Sequence, residues 1–229
     1  MNKIKNLING ILKKKEIITI IGKHDVGKTG FVANIVKILA IDDNKSVAIV
    51  CTEETKENFI YRLISLITNI SVVDLKKGNI PIRDWSKLSN AKHRIGEAKI
   101  YISDNQDFSM NLDEKIDLLI IDSLSYLKID MKKYEFIEYL KKFSTNLNCS
   151  ILVTDQSVSY IPLSIPNIQH IFSLMKEEEK LVKMNSDSLI TMERKKDTET
   201  ITLTIASHTD KTQTIECKFN DSTGEFIEK

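Results

Sequence analysis

The stretch Ile17-Ile18-Thr19-Ile20-Ile21-Gly22-Lys23-His24-Asp25-Val26-Gly27-Lys28-Thr29 decides the fold of this chain. It opens on a β-branched run, which fits a pleated surface better than a helix. The next eight residues match G-x-x-x-x-G-K-[ST] in full. Gly22 and Gly27 let the backbone turn tightly, so that the N–H groups of Lys23, His24, Asp25 and Val26 can face phosphate oxygens. Lys28 supplies an ammonium for the outer phosphates and Thr29 a hydroxyl for Mg²⁺. Phe31, Ile35 and Leu39 then recur at helical spacing, so a helix is expected over about 29–39, its positive end toward the same anion. A match to this pattern arises by chance about 0.01 times in a chain of such length and composition. The alternative, a glycine turn with a surface lysine, explains neither the strand before nor the helix after.

Outward from this loop, four more apolar runs follow: Val47–Cys51, Lys99–Ser103, Leu118–Asp122 and Ser150–Thr154. Continuous apolar runs suit strands buried on both faces of a parallel sheet. Helical patterns lie between them at about 56–67, 82–95 and 134–147. This is the alternation of an α/β fold. Three later stretches, Ser188–Met192, Thr200–Ile205 and Thr214–Phe219, alternate with period two and read as an antiparallel extension with one wet face. Arg194–Glu199 is the turn between the first two. No linker composition or internal repeat divides the 229 residues, so one domain is expected.

Composition narrows the class. Lys+Arg 33 against Asp+Glu 32 leaves a net charge of +1, so no bulk positive field draws the chain to nucleic acid or membrane. The 41% hydrophobic content excludes disorder. Cys51, Cys149 and Cys217 are far apart and form no CxxC pair, which excludes a zinc ribbon or disulfide framework. No run of 18 apolar residues and no signal-like start occur, so a cytoplasmic setting and no membrane partner are expected. The runs Lys13–Lys15 and Glu177–Lys180 read as solvated faces.

Two acidic positions stand out. Asp122 ends the run Asp117-Leu-Leu-Ile-Ile-Asp, at the sheet edge where α/β proteins bind ligands. There a carboxylate can hold the Mg²⁺ shell, although many strands end in Asp at a turn. Glu53 and Glu54 follow the strand Val47–Cys51. Either can polarise a water beside a terminal phosphate, or simply open the next helix. The residues alone do not choose between them.

The order of phosphate loop, Cys51-Thr-Glu-Glu-Thr55, strand ending in Asp122, and Thr154-Asp-Gln156 resembles the RecA-like P-loop ATPase core of DnaB-type replicative helicases. The likeness extends to Arg62-Leu63 and to Gly78, Asp84-Trp85 and Leu88, over about residues 8–226. It implies ATP and Mg²⁺ as cofactors and a mainly parallel twisted sheet flanked by helices with an antiparallel C-terminal extension. It further implies Lys28, Thr29 and Asp122 holding MgATP, Glu53 as catalytic carboxylate, Gln156 as a γ-phosphate sensor and Arg62 at the adenine. The plain alternatives are a polar residue leaving a strand for Gln156 and a helix-surface salt bridge for Arg62. Single-stranded DNA and further copies in a hexameric ring are the expected partners.

The departures bear on mechanism. The family's separate helical N-terminal domain has no counterpart in 1–229, and the crossover over 104–116 is short. No Arg follows Gln156 in Ser157-Val-Ser159. No Arg stands in Ala206-Ser-His-Thr-Asp-Lys211, where the family supplies a basic finger in trans; His208 and Lys211 are what remains. Channel candidates are Lys128, Lys132, Lys133 and Lys176, with solvated surface as the alternative. Two functions follow: a DNA-coupled ATPase, or a hydrolysis-impaired, nucleotide-gated module that docks on a helicase, loader or other replication protein.

Overall fold

The computed structural model describes residues 2–105, 115–156, 185–207 and 212–229. Lys176, His208, Lys211, the 157–159 and 177–180 runs and most of the 104–116 crossover lie outside the described residues.

The apolar runs form the expected strands: β1 (Ile17–Gly22), β2 (Val47–Cys51), β3 (Ile100–Ser103), β4 (Leu118–Asp122) and β5 (Ser150–Gln156). The period-two stretches form β6 (Ser188–Arg194), β7 (Thr200–Ser207) and β8 (Gln213–Asn220), and a short β9 (Glu225–Glu228) follows. All nine lie in one sheet of order β3-β2-β4-β5-β1-β6-β7-β8-β9. From β3 to β6 neighbours run parallel, and from β6 to β9 antiparallel. A mainly parallel sheet with an antiparallel C-terminal extension is thus the architecture the patterning predicts.

Helices cover both faces. On one lie α1 (Asn2–Lys14), α2 (Lys28–Val36) and α3 (Lys56–Thr68), whose Ile4, Ile8, Phe31, Ile35, Phe59 and Leu63 pack on Ile18, Ile20, Ile49 and Ile120. Also present are α4 (Val72–Lys77) and α5 (Trp85–Glu97). On the other face α6 (Lys133–Leu147) sets Phe136, Ile137 and Leu140 against Val50, Leu119, Ile121 and Ile151. Because alternate residues of β1, β2 and β4 enter different cores, neither face can carry a polar side chain cheaply, hence the continuous apolar runs.

Three elements escape the sequence reading. In α1 the buried Ile4 and Ile8 stand one turn apart, a short signal beside the lysine run that ends the helix. In α4, Ser71 caps the start and Gly78, at φ 70°, ends the helix after six residues. The helix over 29–39 starts one residue earlier, is regular to Val36, and continues as a wider π turn over Lys37–Asp42.

The C-terminal hairpin is fastened to the phosphate-loop helix by buried Asn34. Its Nδ2 donates to Gly30 O at 2.8 Å and to Gly224 O at 2.7 Å, and its Oδ1 accepts from Phe226 N at 3.2 Å. Phe226 meets Phe31 edge-on at 5.2 Å between centroids and Phe219 at 4.7 Å. Asn34→Ala removes three buried hydrogen bonds and should destabilise the fold by about 2–4 kcal/mol. Urea unfolding should show a lower midpoint at unchanged slope.

Candidate functional site

The strand register brings the sequence candidates to one edge. Gly22 aligns with Gln156 on one side and Met192 on the other, and Cys51 with Asp122, so the loops leaving β1, β2, β4 and β5 meet there. Between β1 and α2 the chain turns through Asp25 at φ 57° and Gly27 at φ 103°. A Cβ on Gly27 would stand 3.3 Å from the Phe219 ring as well as facing that backbone strain. Gly30 meets the same ring, at 3.2 Å. The phosphate loop is therefore seated on an aromatic side chain of β8.

Lys28 is buried. Its Nζ donates to the loop carbonyls of Gly22 at 3.1 Å and Lys23 at 2.9 Å. Burial lowers its pKa, while Glu53, Asp122, Asp155 and Asp25 act in the opposite direction. Asp122 is also buried, and burial pushes its carboxyl above the usual carboxylate range. The hydroxyls of Thr154, at 2.6 Å from Oδ1, and of Thr29 oppose that rise. Thr29 and Asp122 thus already form a hydrogen-bonded, all-oxygen pair, a donor set that suits a hard divalent cation completed by water and phosphate. Among the described residues no group of three or more His, Cys, Asp or Glu could hold a metal, so a cation here needs ligands from outside the chain.

Facing the loop across a cavity of about 390 Å³ are Glu53 and Glu54 beyond β2, Arg62 of α3, and Phe219 and Asp221 of the C-terminal hairpin. The two glutamates are not equivalent. Glu54 is paired with Arg62, whose Nε lies 2.9 Å and 3.1 Å from its two carboxylate oxygens. Glu53 faces the phosphate loop, with Oε1 3.4 Å from His24 Nε2. Asp221 is held by Arg194 at 2.8 and 2.5 Å, which keeps its carboxyl below the usual range. Arg194 also lies over the Phe219 ring at 5.7 Å.

Arg62 lines the cavity with its guanidinium engaged by Glu54, so the salt bridge weighed in the sequence is present. Gln156 stands at the expected strand end, where its Nε2 donates to Tyr126 Oη at 2.9 Å and its N–H to Ser125 Oγ at 3.4 Å. Lys133 reaches back to the buried Asp155 at 3.2 Å, which removes it from the solvated surface, while Lys128 and Lys132 are exposed. The residues that sequence reasoning missed are Phe219, Asp221, Thr154 and Asp155. Thr154 and Asp155 sit inside the quoted Thr-Asp-Gln run, but Phe219 reads simply as the apolar side of an alternating strand. Cys51, Cys149 and Cys217 are buried thiols; burial raises all three, Cys217 to about 11.

Among the described residues no helix is long and apolar enough to cross a membrane. The structure superposes on a solved helicase-type ATPase domain with a TM-score of 0.77, covering 93% of this chain and 84% of that one at 20% identity. It superposes on a DnaB-like replicative helicase, described with its interactions with primase, at a TM-score of 0.73, covering 93% of this chain and 59% of that one at 19% identity. In sequence it is 29% identical over 163 residues to a probable replicative DNA helicase of Guillardia theta, covering 63% of this chain and 27% of that one. It is 33% identical over 92 residues to the replicative DNA helicase DnaC of Bacillus subtilis, covering 40% of this chain and 20% of the other. The matched stretch thus spans only about a quarter of the length of these curated relatives. The family model of the DnaB-like helicase C-terminal domain matches residues 1–227. The chain belongs to that family, and its fold is that of the family's RecA-like ATPase domain.

Proposed function

We propose that this chain is an ATP-hydrolysing motor core that works on single-stranded DNA in replication, in a reducing cytoplasmic setting and as an assembly of several copies. The observation that carries the reading is the meeting of Lys28, Thr29 and Asp122 at one strand edge with Glu53 facing them across a cavity. The loop N–H groups from Lys23 to Thr29, with the N-terminus of α2, receive the triphosphate, and Lys28 turns from the loop carbonyls to its outer oxygens. Thr29 and Asp122 would hold Mg²⁺, which when bound neutralises charge on the phosphate oxygens. Glu53 accepts a proton from a water whose oxygen attacks the γ-phosphorus; the bond to the β-phosphate oxygen breaks, and ADP and phosphate leave. Gln156, hydrogen-bonded to Tyr126 on the loop after β4, links the phosphate edge to that exposed segment and is assigned the sensor role. Arg62 fixes Glu54 at the cavity wall and is assigned to the nucleotide side.

The deciding experiment is ATP hydrolysis at several protein concentrations, with and without single-stranded DNA, with Lys28→Ala as blank. A rate per chain that rises with both supports the motor. A flat, near-blank rate alongside measurable ATP binding would establish the nucleotide-gated docking module instead, the reading favoured by the absence of Arg from 206–211. Glu53→Gln should cut turnover by about 10²–10⁴-fold with ATP affinity retained. The matching Glu54→Gln variant separates the two glutamates, since it loses the Arg62 pair and keeps the base.

Asp122→Asn should do the reverse of most site substitutions. Because burial raises the folded-state pKa, ionised Asp122 costs stability at neutral pH, and the cost disappears as pH falls and the carboxyl takes up its proton. The variant should therefore melt about 2–4 °C higher at pH 7.5, with the advantage shrinking toward acid pH, while Mg²⁺-dependent ATP binding is lost. Thermal scans at several pH values, with and without MgATP, check both halves.

A further inference from the structure

His24 is a phosphate-loop residue whose two ring nitrogens both face carboxylates. Nδ1 lies 2.7 Å from Asp25 Oδ2 on its own loop, and Nε2 lies 3.4 Å from Glu53 Oε1 beyond β2. A neutral imidazole has one N–H and one lone pair, so it can donate to only one of these acids and turns a lone pair on the other. Only the imidazolium donates to both. The remaining charges around the cavity are already committed: Glu54 to Arg62, Asp221 to Arg194, and Lys28 to the loop carbonyls. Asp25 and Glu53 are the two carboxylates left, and His24 stands between them.

From this we infer that His24 is a positioning residue: its imidazolium bridges Asp25 and Glu53 and holds the Glu53 carboxylate against the phosphate loop, leaving Oε2 to take the proton of the attacking water. The inference rests on the assignment of Glu53 as the base. It makes the loop itself a pH-dependent element, because imidazole is the side chain whose charge changes between pH 5 and 8. Deprotonation releases the Glu53 carboxylate without touching the lysine, the threonine or the metal carboxylate.

The test compares kcat against pH, from about 5.5 to 8.5, for the wild-type chain, His24→Ala and His24→Gln, with dissociation constants of a fluorescent ATP analogue measured in parallel. Misplacement of a reacting group by about 1 Å costs on the order of 10²-fold, so His24→Ala should lose about 10–100-fold in kcat with analogue binding changed less than about threefold. His24→Gln keeps an N–H donor of similar reach and should recover part of that loss with no falling limb across neutral pH, where wild type has one. Limbs shared by all three proteins belong to Lys28 and Asp122. Equal kcat and an identical pH profile in wild type and His24→Ala would overturn the inference. Glu53→Gln is the control. If it turns over like wild type, or if wild type itself is at the Lys28→Ala blank, the assignment of Glu53 fails first and the role of His24 falls with it. If Glu53→Gln is dead and His24→Ala is normal, only the positioning role fails.

Discussion

A carboxylate shut away from water at the end of β4 sets the terms for its surroundings. Taking an ion out of water costs several kcal/mol unless hydrogen bonds or an opposite charge offset it. Asp122 meets that cost only in part, through the hydroxyls of Thr154 and Thr29 and the nearby charge of Lys28. Lys28 is in the mirror situation, a buried ammonium resting on two carbonyls. Both groups are more stable with a counter-charge than without one. The fold keeps them because the sheet core beneath is apolar on both faces and can carry the strain. Affinity for a nucleotide with its divalent cation is the same unfinished electrostatics seen from the ligand's side.

Around that pair the remaining charges sort themselves. Arg62 takes Glu54, Arg194 takes Asp221 and Lys133 takes Asp155. What is left at the cavity is one glutamate, one aspartate and a histidine. The two glutamates after β2 are chemically identical, and their separate environments come from α3, whose Arg62 sits mid-helix beside the second. The antiparallel strands are part of this arrangement too. They put Phe219 under the loop glycines and Asp221 on the rim, and Asn34 fixes them there.

Much of this is legible in the sequence. The strands that carry the site are long apolar runs, and the loop motif carries its own mechanism, so β1, β2, β4, β5 and the start of α2 stand where the residues put them. The choice of Glu53 over Glu54 comes from the family resemblance, because the bond between Arg62 and Glu54 joins positions eight apart that no periodicity singles out. Phe219 is invisible for a similar reason: alternation tells which face a residue is on but not which loop it lies beneath. The short α4 rests on its Ser71 and Gly78 ends rather than on any apolar stripe, and α1 shows only two buried isoleucines beside a run of lysines.

The place of the C-terminal hairpin has a consequence for how the molecule comes into being. The phosphate loop is complete in sequence by Thr29, yet its floor is Phe219 and its strut ends at Gly224 and Phe226. At ribosomal speeds of roughly 5–20 residues per second, about ten to forty seconds pass between the two. During that interval β1 has no β6 beside it and the glycine turn has no aromatic ring beneath it. A nascent chain therefore carries the whole signature motif and no finished pocket. Capture of nucleotide waits on translation of the antiparallel strands, and elements made late decide when a motif made early begins to work.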